Sequence, residues 1–460
     1  MRSEAWDIVV IGAGLAGIRA ALVASSLGAR TLVLEKMPEP GGSSLLAGGF
    51  FAFAGTSAQR SRGLEDSLDL MKKDFLDLGK GVNDAALVNA YCEHQLPEYE
   101  YLAGLGVEFI DVQPSSGHSV PRGHRADPRQ FMALLLSQAR QSSLIEIRTS
   151  TCATRLARTQ EQGPIDTIYV QQGDSAKKIQ ARRGIILASG GFSRAQDLLG
   201  LFAPHVSMAI PAGGLGNDGD GIRMAWEHGA GLADIGYING TFGTYPWPEA
   251  GELAAVIFPV YRGGIAVNIK GERFVNESKS YKALGEAVLE QEKSYAYQIF
   301  DQSIMSQSLD NVPSYNFQSM ARLGRIKSAT SIRELAQSID VPVDSFVSTV
   351  NRYNDDARSG RDSEFGRDSL SHTFGQISPL ISPPYYAYPC TCMLSTTYGG
   401  LRIDSGMRVL NVWGESIAGL YAAGELVGGL HGASYMTGSA LGKALIFGAI
   451  AARSAVSGSD

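Results

Sequence analysis

Residues 7–36 read DIVVIGAGLAGIRAALVASSLGARTLVLEK, and this stretch constrains the fold more than any other. DIVVI is an apolar run of strand length. Gly12, Gly14 and Gly17 follow in GxGxxG spacing, an Ala-rich helix runs over roughly 15–27, and TLVLEK is a second strand ending on Glu35. Strand, glycine turn, helix, strand and acid form the order that a dinucleotide-binding βαβ unit requires. The glycines permit a tight turn, and the helix N-terminus offers backbone N–H groups to a pyrophosphate. Glu35 stands where ribose hydroxyls are read. The spacing alone would carry little weight. In this context it predicts a bound adenine dinucleotide rather than a bare glycine-rich turn.

The segment after the acid selects between nicotinamide and flavin. KMPEPGGSSLLAGG (36–49) places Gly41, Gly42, Ser43, Ser44, Gly48 and Gly49 in a second loop rich in backbone donors. A nicotinamide enzyme has no use for that loop. A flavin dinucleotide, stretched across the domain, does. Further on, RRGIILASGGF (182–192) reads as a strand ending in a small-residue turn, and GLGNDGDGIRMAWEHGA (214–230) as a Gly/Asp turn and a helix start. Near the C-terminus, LRID and RVL read as hairpin strands around DSGM, and IAGLYAAGE as a strand leading to Glu425. SALGKALIFGAIAA (439–452) begins a helix whose first N–H groups can face an electron-rich ligand atom. The far end of the chain is therefore expected to return to the nucleotide domain and complete the flavin site.

Composition narrows the function classes. At 460 residues two domains are expected. The net charge of −6 and the lack of a long basic run argue against nucleic acid as a partner. Cys92, Cys152, Cys390 and Cys392 form no CxxC or CxxCH, so neither a zinc ribbon nor attached haem is indicated, and reduced thiols are expected. No metal site is expected. The N-terminus lacks signal-peptide character. The apolar run ALIFGAIAA (444–452) falls short of the roughly 20 residues a membrane span needs. These features predict a cytoplasmic protein without a membrane span.

VIGAGLAG, LEK, GGSSLLAGG, ASGGF, GNDGDGI, GERFVNE, GLYAAGE and SALGKAL, in that order across nearly the whole chain, resemble the succinate dehydrogenase/fumarate reductase flavoprotein superfamily. The resemblance implies an α/β fold: a Rossmann-like FAD-binding domain (1–235 and 393–460) interrupted by an inserted α+β capping domain (236–392). It implies that Gly12, Gly14, Gly17, Glu35, Gly41, Gly42, Ser43 and Gly49 line FAD. Glu425 would hold the ribityl chain, and Ser439 and Leu441 would meet the pyrimidine edge of the flavin. Lys36, Ser44, Gly48, Ala188, Gly190, Asp218 and Gly424, in or beside the same motifs, complete the expected cofactor set. Members with covalent flavin carry a histidine in the loop near 41–49. This chain has none there, so noncovalent FAD is expected.

The chain departs from the fumarate-reducing branch at three places. That branch has an arginine shortly after RFVNE, where this chain has Tyr281 in NESKSYK. It has an arginine in an NRLGGNAL-like segment, where this chain has Tyr435 in SYMTGSAL. It has a histidine before a GG turn, where this chain reads LSTTYGG, with Thr396 and Thr397. A dicarboxylate would lose charge-assisted bonds worth roughly 1.5–3 kcal/mol each, which argues against fumarate or succinate. The paired tyrosines are instead similar to the 3-ketosteroid dehydrogenase branch. That resemblance implies desaturation of a ketone ring. Tyr281 would be the α-proton base, Tyr435 and the Gly438 N–H would clamp the carbonyl oxygen, and the β-hydride would pass to flavin N5. The two tyrosines could exchange roles.

This chain is shorter than the steroid enzymes, and its SYMTG is one residue shorter than their SYAGAG-like motif. A smaller cap points to a smaller ring, as in the similar cyclohexanone-type and 4-oxocyclohexanecarboxylate dehydrogenases. Arg122, Arg125 and Arg262 are candidates for a substrate carboxylate. For Arg122 and Arg125, in SGHSVPRGHRAD (116–127), a structural role is the simpler reading, as it is for His118 and His124 in the same loop. Tyr245 and Trp247, in GTFGTYPWPEAG (240–251), and Tyr398 beside the GG turn are candidates for lining the pocket or for packing. The runner-up function is an enone or enoate reductase running the same chemistry backward. A flavin carrier without turnover is a third reading. No second redox motif is visible, so an external acceptor is expected: a quinone, another flavoprotein or oxygen.

Overall fold

The computed structural model describes residues 4–247, 255–310, 312–370 and 375–458, with only the backbone of Asn239. Pro248, Glu249, Ala250 and Gly251, at the end of the GTFGTYPWPEAG segment, lie outside the described residues. The chain forms two compact units. One comprises Met1–Pro204, Gly213–Asn239 and Thr396–Asp460, and the other His205–Ala212 and Gly240–Ser395. The sequence expectation placed the insert at 236–392. The short segment 205–212 also belongs to the second unit, because Ile210–Pro211 pairs in parallel with the long strand Tyr385–Thr397.

The first unit is built on an eight-stranded sheet. Its spine runs in the order 408–410, 416–422, 175–187, 4–11, 31–34, 145–148. The strand β1 (Glu4–Ile11) lies inside it, parallel to β2 (Thr31–Leu34) on one side and to Ser175–Leu187 on the other. Ile8, Val9 and Val10 are fully buried, so the run is continuously apolar rather than alternating, as a strand covered on both faces must be. The helix α1 (Leu15–Ser26) packs on the last helix, Ser439–Ser457. The two approach so closely that a Cβ on Gly448 would lie 2.4 Å from the Ala16 carbonyl oxygen. That last helix corrects the sequence reading of a nine-residue apolar run. The helix runs over 19 residues, Ser439–Ser457, long and apolar enough to cross a membrane, yet 78% of its most apolar window is buried inside the protein. It is a core helix of this unit.

The second unit is α+β. Its sheet centres on Tyr385–Thr397, which pairs antiparallel with Ala296–Asp301, and that strand pairs with Ile265–Asn268. The GERFVNE motif serves this unit's interior. Arg273 is fully buried and donates to Glu277 at 3.0 and 2.8 Å and to both Asp362 oxygens at 2.9 Å. Arg367, also fully buried, donates to the Gly264 and Val260 carbonyls at 2.9 and 2.6 Å. Burial pushes the Asp362 carboxyl up, but hydrogen bonds from Arg273, its charge, and backbone N–H groups outweigh this and hold it at about 2.

Candidate active site

The glycine turn after β1 is shaped by steric limits. Gly12 has φ +107°, and a Cβ there would lie 2.3 Å from the Ala188 carbonyl oxygen. A Cβ on Gly17 would lie 1.9 Å from the Gly12 carbonyl oxygen, so α1 can sit against the turn only with glycine at that place. Glu35 accepts the Ala13 N–H at 2.9 Å and the Met37 N–H at 2.8 Å, which ties the acid to the turn. Gly41 and Gly42, both with positive φ, lead into a short turn, Gly42–Leu45. There the Ser44 hydroxyl accepts the Leu15 N–H at 3.1 Å, and the Ser43 hydroxyl accepts the Gly214 N–H at 2.9 Å. Gly49 has φ +78°, and a Cβ would meet Ala126 O at 2.0 Å. A Cβ on Gly48 would lie 3.5 Å from the Phe50 ring.

The helix starts of this unit differ in how they are capped. The helices starting at Leu68, Ala85 and Pro128 are capped by the side chains of Ser67, Asp84 and Asp127. By contrast, α1 and the last helix start at Gly14 and Gly438 with no side-chain cap. The Leu15 N–H is taken by Ser44 and the Ser439 N–H by the Met436 carbonyl, and the next N–H groups, those of Ala16 and Gly17 and of Ala440 and Leu441, face a ligand without a side-chain cap. Uncapped helix ends beside glycine turns fit FAD. Gly12, Gly14, Gly17, Glu35 and the 41–49 loop would hold its adenosine diphosphate half, and Leu441 in the last helix's first turn its flavin half. Glu425 accepts from Asn217 Nδ2 at 3.0 Å, Thr397 N at 2.9 Å and Thr397 Oγ1 at 3.3 Å, so its carboxylate is fixed between two loops. Gly190, at φ +82°, leaves room for Asn217, and Gly424, at φ +79°, for Ala16.

Several expectations need revision. Lys36 and Asp218 are partners of each other: Lys36 Nζ bonds Asp218 at 2.8 Å and Asp220 at 2.6 Å. Ser439 is fully buried, and its hydroxyl and its N–H both donate to the Met436 carbonyl, so its side chain faces the protein interior. Arg122 does not reach for a substrate. Its guanidinium is fully buried against Asp66 and Asp74. Arg125 lies half-buried on the short strand Gly123–Arg125. His124 is a structural residue, with Nδ1 2.8 Å from the Arg122 carbonyl and Nε2 2.7 Å from Thr56 Oγ1, and burial lowers it to about 4.

Tyr435 sits in an aromatic cluster. Its ring stacks on Tyr398 with centroids 5.8 Å apart and lies 5.4 Å from His431. The Gly438 N–H does not stand apart as a second carbonyl donor. It donates to the Tyr435 phenol oxygen at 3.1 Å. Gly438 needs φ +89°, and a Cβ would come within 2.7 Å of the Phe51 carbonyl carbon.

Within the second unit, Tyr281 opens the helix Tyr281–Leu289, which is capped by Ser280 through the Ala283 N–H at 3.3 Å. Its ring centroid lies 6.2 Å from that of Phe258 and 5.6 Å from Lys282 Nζ. Burial lowers Lys282 to about 7, a residue the motif reading passed over. Arg262 stacks over Tyr315 at 4.8 Å. Tyr245 lies under Arg325 at 4.8 Å and packs against Trp247 and Tyr388. In the first unit, Asn217 and Thr437 also escaped the motif reading. Asn217 could have been found in GNDGDG, since Asn side chains hold turns. No signal marked Thr437.

Comparison with known proteins places these features. The family described as "FAD binding domain" matches residues 7–441. A fumarate reductase (cytochrome) of Shewanella frigidimarina is 31% identical over 422 residues, covering 91% of this chain and 71% of that protein. The open conformation of a flavocytochrome c3 fumarate reductase superposes with a TM-score of 0.86 at 27% identity, covering 99% of this chain and 78% of the other. The 3-ketosteroid-Δ4-(5α)-dehydrogenase of Rhodococcus jostii RHA1, bound to 4-androstene-3,17-dione, superposes with a TM-score of 0.79 at 26% identity, covering 98% and 97%.

Proposed function

The chain belongs to the FAD binding domain family of succinate dehydrogenase/fumarate reductase flavoproteins, and from that membership we propose that it desaturates a cyclic ketone between its α and β carbons. It is an FAD-dependent oxidoreductase acting on carbon–carbon bonds, with FAD held noncovalently. The observation that carries the ketone reading is the Tyr435 phenol receiving the Gly438 N–H at 3.1 Å, beside the uncapped start of the last helix. A neutral donor of this kind suits a ketone oxygen. It lacks the charge that a carboxylate would call for.

Tyr435 donates its phenol hydrogen to the ketone oxygen. The Gly438 N–H, by pulling electron density from the phenol oxygen, makes that O–H a stronger donor. The bonded carbonyl acidifies the α-carbon and stabilises the enolate that develops on oxygen. Tyr281 takes the α-proton as general base. Bound FAD supplies the acceptor for the β-hydride. Ring size, and the part played by Arg262, Tyr245 and Tyr398 along the substrate, belong to the same proposal, as does an external quinone, flavoprotein or oxygen as final acceptor.

The test is anaerobic addition of steroidal ketones, cyclohexanone, its 4-carboxylate, and succinate to the yellow holoenzyme. Loss of the visible flavin absorbance with one ketone and not with succinate is expected. Bleaching by succinate alone would sink the reading. Reoxidation of dithionite-reduced enzyme by an enone, with no bleaching by any ketone, would make the physiological direction reductive and the tyrosines proton donors.

A further inference from the structure

We propose that His118 is a positioning residue that acts on Tyr435 through the single peptide group joining Thr437 to Gly438. The inference rests on Tyr435 being the carbonyl donor, and it identifies what tunes that donor. His118 Nε2 lies 2.7 Å from the Thr437 carbonyl oxygen. A carbonyl can only accept, so Nε2 carries the hydrogen. The same peptide's other end, the Gly438 N–H, donates to Tyr435 Oη at 3.1 Å. The chain of bonds therefore runs from the imidazole N–H to the Thr437 C=O, across the amide, and from the Gly438 N–H to the phenol oxygen. A donor on the oxygen of an amide increases the positive charge on its N–H, and hydrogen bonds in series strengthen one another.

Two further observations fix the direction of this relay. His118 Nδ1 is buried and has no hydrogen-bond partner among the described residues. Protonating it would bury an N–H without an acceptor, so the ring stays neutral with its one hydrogen on Nε2. Burial accordingly lowers His118 to about 4. The loop that carries it is also held to the peptide just before the Thr437–Gly438 one. The Thr437 N–H donates to Ser116 O at 3.0 Å, and a Cβ on Gly117 would sit 3.2 Å from Met436 Cα. The charged groups acting on His118 are Arg122, Asp74 and Asp66, and the titratable neighbours of Tyr435 are Tyr398, His431 and Tyr91. Arg122 pairs with both aspartates, which leaves that cluster one net negative charge, and burial outweighs its pull toward a protonated imidazole.

The sequence makes the test direct, because Thr437–Gly438 is its one Thr-Gly dipeptide. Holoenzyme labelled with carbonyl-¹³C threonine and ¹⁵N glycine gives a single correlated signal that reports both ends of the relay. In His118→Leu the Thr437 carbonyl and the Gly438 amide proton should both shift upfield. In His118→Gln, whose side-chain N–H can reach the same oxygen, both should stay near the wild-type values. With a ketone that bleaches the flavin, His118→Leu should lower kcat about threefold to tenfold with KM little changed, and His118→Gln should restore it. A His118→Leu amide proton that stays put while the carbonyl shifts would reduce His118 to a loop brace and overturn the relay. Should the leucine variant fail to fold, ¹⁵N-histidine spectra of the wild type decide the matter: a hydrogen on Nδ1 instead of Nε2 overturns it. The amide signals do not depend on any substrate, so failure of the ketone reading would leave them intact.

Discussion

Tyr435 and Tyr281 are equivalent in composition but not in surroundings, and their substitutions should separate their roles. Tyr435→Phe keeps the ring that stacks on Tyr398 at 5.8 Å and removes only the hydroxyl that receives the Gly438 N–H. Loss of one oxyanion donor costs on the order of 10²–10³ in kcat. That fall should appear with normal FAD content and little change in thermal midpoint. Tyr281→Phe should lower kcat by roughly 10²–10⁴, and near-normal turnover would remove the base assignment. Gly438→Ala is a different kind of change. Its Cβ would lie 2.7 Å from backbone carbon and force a left-handed residue, so it should lose folded yield as well as activity. The sequence showed both tyrosines because they stand in motif positions. It could not show that Gly438 bonds the phenol rather than standing free, since that depends on the path of a loop. Nor could it show that Arg122 is neutralised by Asp66 and Asp74, which are 56 and 48 residues away.

At the scale of elements, what was legible followed local rules. The β1–α1–β2 unit, the 41–49 loop and the uncapped helix starts all express backbone needs of residues near one another in sequence. Gly17→Ala tests the tightest of these. A Cβ 1.9 Å from Gly12 O forces α1 off the turn, and holoenzyme yield and bound FAD should fall sharply. The polar interior of the insert was not legible, because it joins residues of GERFVNE to Asp362 and Arg367 about ninety positions later. That network sets a pH limit. Asp362 is held at about 2 in the folded protein, below the usual aspartate range near 3.9. Its contribution is therefore complete above pH 4 and lost as pH falls toward 2, by about 2 kcal/mol. Urea midpoints of the wild type should fall across that window. Asp362→Asn should start lower at neutral pH and lose less on acidification. An equal acid slope in both proteins would remove Asp362 from the account.

For the whole molecule, the last question is where the electrons go. The two-unit organisation was legible from motif order, although the share of 205–212 in the second unit was not, since a two-residue strand leaves no pattern. The sequence holds one nucleotide-binding fingerprint, four cysteines with no cluster spacing and no haem-attachment motif. In line with the proposed external acceptor, the flavin's electrons are expected to leave this chain. A two-electron desaturation must then stop after one event per flavin until something outside removes the pair. Mixed anaerobically with excess ketone, the holoenzyme should form one equivalent of unsaturated product per FAD, in step with complete bleaching, and no more. Adding a quinone or a dye should restore steady turnover and the yellow colour once the ketone is exhausted. Product beyond one equivalent without an added acceptor would mean that the flavin passes its electrons back to carbon. That would point to a dismutation between two ketone-derived molecules, and the reductive direction would then be part of the same catalytic cycle.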